Sequence, residues 1–111
     1  MKRIISLIAT FLFLGLTSHT FADYPVVGYR FLADPGALVY NGRVYVYCSN
    51  DDENGDSSYD MSSIVCVSSA DLKNWTDHGV VFDVPTNASW TSLSWAPSPA
   101  YRNGKFYLYF G

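Results

Sequence analysis

Residues 35–47 (PGALVYNGRVYVY) and residues 97–109 (PSPAYRNGKFYLY) align without a gap at an offset of 62. Pro, Asn, Gly and two Tyr coincide, and a basic residue follows each Gly. Asn-Gly is the dipeptide that most favours a two-residue type I′ turn, because both central positions need positive φ. Each window therefore predicts a hairpin, with strands over 37–40 and 43–49 in the first copy and over 98–102 and 105–110 in the second. Two more β-rich runs, 62–68 and 75–82, lie between the copies, and no helical period is sustained anywhere after residue 22. The chain reads as all-β. Four strands recurring at this spacing fit a β-propeller blade, somewhat longer than the common units of about 40–50 residues. The competing reading is two coincident hairpins in a small sandwich, and a matched thirteen-residue window favours the blade over it.

On this reading the first blade is complete between Ala37 and Phe82, and the second stops after two strands. A propeller takes at least about four blades, each burying its faces on its neighbours. An unpaired edge over 105–110 would leave aromatic faces wet. The expectation is that residues 23–111 are the N-terminal part of a longer, here truncated, propeller domain.

Residues 1–22 read as a secretory signal peptide. Met1-Lys2-Arg3 is a basic start, residues 4–16 form an apolar run, and Thr20-Phe21-Ala22 offers small residues for cleavage after Ala22. The run is shorter than the about 20 apolar residues a spanning helix needs. The expected location is secreted or periplasmic, with no membrane association after cleavage. Loss of Lys2 and Arg3 leaves five basic against ten acidic residues, and 16 of the remaining 89 are aromatic. Such a surface has no field for nucleic acid. Aromatic faces instead suit sugar rings.

Strand direction gathers the chemistry. The start of the first strand, the 50–60 loop and the 83–95 linker all come to one end, bringing together Asp34, an acidic loop, Trp90 and Trp95. Asp34 departs from the repeat, because its counterpart is Ala96. A carboxylate facing a channel carries a desolvation cost and so points to a purpose. A turn-capping Asp before Pro35 is the plainer alternative.

These residues carry a resemblance. The run 32–38 (LADPGAL), followed by Asn41-Gly42 and by Tyr45 and Tyr47, is similar to the opening blade of glycoside hydrolase family 43. So are residues 67–75 (VSSADLKNW) and Trp95-Ala96-Pro97-Ser98. The resemblance implies a five-bladed propeller of which this sequence holds blade one and half of blade two. It implies cleavage of arabinose or xylose from plant polysaccharides with inversion, by three carboxylates in a central funnel. One of the three falls on this sequence: Asp34, as general base. The second Asp and the Glu general acid belong to later blades, so residues 1–111 alone are expected to be inactive.

Trp95, at the rim, is a candidate for sugar contact or for packing between blades, and Phe31 is a candidate pocket wall or packing residue. Cys48 and Cys66, on neighbouring strands, are read either as a disulfide or as two buried thiols. The acidic run 51–56 lacks the closing glutamate of a calcium loop and reads as a hydrated tip, and no zinc spacing occurs. No metal ligands or cofactor are assigned, although some members of the resembled family hold a cation, a structural calcium in a complete propeller, in the channel. Two other functions stay open. One is a fructan-cleaving propeller, argued against by the absence of asparagines around Asp34-Pro35-Gly36. The other is a non-catalytic carbohydrate-binding propeller.

Overall fold

The computed structural model describes residues 25–51 and 61–111. The signal-peptide reading of residues 1–22 and the reading of the acidic loop over 52–60 lie outside the described residues. Within them the order is β1 (Leu32–Tyr40), β2 (Arg43–Asn50), β3 (Ser63–Ser69), β4 (Thr76–Asp83), a single helical turn α1 (Val84–Asn87), β5 (Ser98–Arg102) and β6 (Lys105–Tyr109). β1 to β4 form one antiparallel sheet in sequence order, and β5 and β6 form a second. That is one complete propeller blade followed by the inner half of the next, as the repeat requires.

Both hairpins turn where the sequence places them. Asn41 and Gly42 have φ of 48° and 71°, and Asn103 and Gly104 have 52° and 76°, the positive pair that a type I′ turn demands. The other end of β1 differs from expectation. The run Asp34-Pro35-Gly36 reads as a turn, yet the strand continues through it to Leu32. Ala33 pairs with Ser49 and Gly36 with Tyr47, so Asp34 and Pro35 together oppose Cys48. This two-against-one arrangement is a β-bulge, a position where proline's missing N–H costs no ladder bond.

The core lies on β3, whose seven residues are all buried between β2 and β4. One face of the sheet turns toward the second blade. There Tyr40 packs on Tyr101 and Phe106, with ring centroids 4.8 and 5.0 Å apart. His78 stacks on Tyr45 and shares a 2.7 Å hydrogen bond with Ser68, which also accepts from Arg43. The opposite face carries an apolar hollow of about 220 Å³ lined by Val26, Val27, Val46, Val67 and Trp75, among others. Among the described residues no helix is long and apolar enough to cross a membrane.

The seam between blades is set by β1 and β5, which run side by side. A Cβ on Gly36 would lie 2.0 Å from the Pro97 carbonyl oxygen and 2.9 Å from Pro99 Cδ. Only a residue without a side chain lets the two inner strands approach this closely.

The disulfide alternative for Cys48 and Cys66 is corrected. Both thiols are free and buried. Cys66 opposes Tyr47 while Cys48 opposes Val65, so the two side chains leave opposite faces of the sheet. Burial pushes the Cys66 thiol up to about 11. Burial also raises Cys48, and the Asp34 carboxylate adds to that rise.

Three outcomes follow from this packing. Gly36→Ala in the intact protein should cost about 2–3 kcal/mol in denaturant unfolding, since the Pro97 backbone has to give way. Neither thiol should react with iodoacetamide at pH 8 until denaturant is added. Because folding raises both thiols, their contribution to stability is present below about pH 9 and should fade as pH rises toward 11.

Candidate functional site

The bulge positions the candidate catalytic carboxylate. Asp34 has φ of 50°, left-handed backbone that aspartate tolerates better than most residues. In a regular strand its side chain would follow the pleat. In the bulge it is re-aimed, and Asp34 stands exposed at the end of the sheet where β1 begins.

The repeat reproduces this backbone in the second blade. Ala96, the counterpart of Asp34, has φ of 47°. Trp95 and Gly111 exchange backbone hydrogen bonds of 2.8 and 3.4 Å, as the pairing of Ala33 with Ser49 predicts at the 62-residue offset. Two adjacent blades thus present two identical bulges at one mouth, one carrying a carboxylate and the other a methyl group.

Ser49 joins them, and sequence reasoning missed it. Its hydroxyl donates to Asp34 Oδ2 at 3.2 Å and accepts from the Ala96 N–H at 2.9 Å. Ser49 is fully buried. The signal was available: the Asn41-Gly42 turn fixes the pairing of β1 with β2, and counting back along it brings position 49 beside position 34.

Trp95 lies at the same mouth. Its indole packs over Gly111, where a Cβ would come within 2.6 Å of Nε1, and the residue stays 38% exposed. A partly open indole, one residue before Ala96, offers a flat face to a sugar ring. Phe31 keeps an exposed ring, and its carbonyl accepts from the Asp51 N–H at 3.0 Å, which ties it to the end of β2. Among the described residues no ring–ring contact joins Phe31 to Trp95. Trp90 stacks on Phe110 (5.8 Å, 15°), which packs in turn on Phe82 (4.7 Å), extending an aromatic wall outward along this end.

Among the described residues no three acidic, histidine or cysteine side chains converge as metal ligands. The chemistry legible here is that of one exposed carboxylate with a single fixed hydrogen bond among the described residues. Such a group can take a proton from water.

The chain is similar to known proteins. The profile of glycosyl hydrolases family 43 matches residues 23–111. The chain is 41% identical over 115 aligned residues to an arabinoxylan arabinofuranohydrolase of Bacillus subtilis, covering 86% of this chain and 22% of that protein. Among solved structures it is similar to an α-L-arabinofuranosidase from Clostridium thermocellum, at 58% identity and a TM-score of 0.61 over 81% of this chain and 30% of that one. It is also similar to a family enzyme from Xanthomonas citri complexed with xylotriose, at 38% identity and a TM-score of 0.69 over 78% of this chain and 26% of that one. The chain spans between a fifth and a third of the length of these relatives.

Proposed function

The chain belongs to glycosyl hydrolases family 43, and from that premise we propose that it supplies the general base of an exported glycosidase acting on arabinose- and xylose-containing plant polysaccharide. Asp34 is the base and hydrolysis inverts the anomeric centre. The observation that carries this reading is the bulge: an aspartate in left-handed backbone, exposed at the mouth of the inner strands with a buried hydroxyl on one of its oxygens.

The chemistry needs this placement. In an inverting hydrolysis one carboxyl group protonates the departing oxygen while a carboxylate across the ring takes a proton from water, which attacks the anomeric carbon. The two groups stand roughly 6.5–9.5 Å apart to admit that water. A base on a bulge at the inner-strand end meets the requirement from one side, and the acid comes from another blade. Trp95 supplies a stacking face that holds the sugar ring while bonds change, a use of binding energy for orientation. Names of relatives support the substrate class: arabinoxylan in one case, and xylotriose bound in another. Residues 1–22 supply the export signal.

In the intact enzyme, Asp34→Ala should lower turnover of an aryl arabinofuranoside or xyloside about 10³- to 10⁴-fold while oligosaccharide binding changes little. Proton NMR of the wild-type reaction should show the inverted anomer first. Unchanged turnover by the variant would remove Asp34 from the mechanism. Mass measurement of the secreted protein should find Asp23 at its N-terminus.

A further inference from the structure

We infer that Ser49 is a positioning residue for Asp34: its hydroxyl, locked by the backbone of the neighbouring blade, fixes which oxygen of the Asp34 carboxylate faces water. The inference rests on Asp34 acting as the base.

A serine hydroxyl has one proton to give and two lone pairs to receive with. The Ala96 N–H, 2.9 Å away, occupies a lone pair. Its direction is held by the left-handed backbone of Ala96 and by the close approach of Pro97 to Gly36. The proton is left for an acceptor, and Asp34 Oδ2 is 3.2 Å away. Ser49 is 0% exposed, so water does not compete for that proton. Among the described residues Oδ2 carries this one hydrogen bond and Oδ1 carries none. Oδ1 is therefore the oxygen left for water.

The repeat argues that the hydroxyl serves the carboxylate. At the 62-residue offset Asp34 corresponds to Ala96 and Ser49 corresponds to Gly111. The bulge persists in the second blade without a carboxylate, and there the hydroxyl is missing too. A hydroxyl needed only to build the bulge would be needed in both blades. The amide-to-hydroxyl-to-carboxylate chain also makes the orientation of Asp34 depend on the seam between blades rather than on its own strand alone.

The test is a double-mutant cycle in the intact enzyme with an aryl arabinofuranoside as substrate. Ser49→Ala should lower kcat about 10-fold with KM within a factor of two, since misplacing a catalytic group costs rate more than binding. Ser49→Thr, which keeps the hydroxyl, should recover most of that loss. In the Asp34→Asn background Ser49→Ala should change the residual turnover by less than a factor of two. An unchanged kcat in Ser49→Ala, or an equal loss in both backgrounds, would overturn the assignment and leave Asp34 as the base. Full turnover by Asp34→Asn alone would instead overturn the base and the role of Ser49 together. Should Ser49→Ala fail to fold, Ser49→Cys, which keeps the side-chain shape with a slightly larger atom and a weaker donor, should give the same pattern.

Discussion

One extra residue in an inner strand governs this mouth. Asp34 and Pro35 face the single residue Cys48, and the surplus bends β1 where it would otherwise run straight into solvent. The bulge serves three purposes. It removes the proline from the ladder, where it has no N–H to offer. It turns the aspartate out of the pleat. It brings Gly36 into line so that its backbone meets that of Pro97. A left-handed non-glycine residue costs of order 1–3 kcal/mol, and such strain persists only where its surroundings over-determine it.

Those surroundings belong to the neighbouring blade. The Gly36–Pro97 approach and the Tyr40, Tyr101 and Phe106 cluster hold β1 against β5 along their length. At the open end the Ser49 hydroxyl completes the seam by joining the Ala96 amide to the Asp34 carboxylate. The environment of the Asp34 carboxylate is thus built from three stretches of chain, and its geometry depends on how well two blades dock. This dependence connects packing to chemistry: loosening the aromatic cluster at the far end would reach Asp34 through a rigid pair of strands.

Much of this was legible beforehand because propeller blades repeat. The two Asn-Gly dipeptides located both hairpins, and the offset between them identified a second copy of the blade's opening. Asp34 stood out through its mismatch with Ala96. The bulge was not, since Asp-Pro-Gly has the local chemistry of a turn and only pairing with β2 reveals that the strand runs on. Ser49 was missed for a related reason. A serine at the end of a strand has no pattern of its own, and its meaning comes from a partner 47 residues away. The two cysteines were read as neighbours on adjacent strands, which they are. Counting the register from the hairpin fixes how β1 meets β2, but the β2–β3 register depends on a long loop, so the faces of Cys48 and Cys66 could not be assigned.

The comparison of the two bulges separates what the fold requires from what the chemistry requires. Both blades keep the left-handed residue, the following proline and the pairing beyond it, so these features belong to blade construction. Blade two places a tryptophan before its bulge, where blade one has Ala33, and a glycine opposite it, where blade one has Ser49. The glycine makes room for the indole, and the serine makes a hydrogen bond for the carboxylate. One backbone device is therefore filled in two ways: in blade one it carries an exposed carboxylate, and in blade two it follows an indole packed over Gly111. Under the proposed function the carboxylate activates water and the indole stacks on a sugar. Both then stand on adjacent copies of one backbone device, set by the repeat itself.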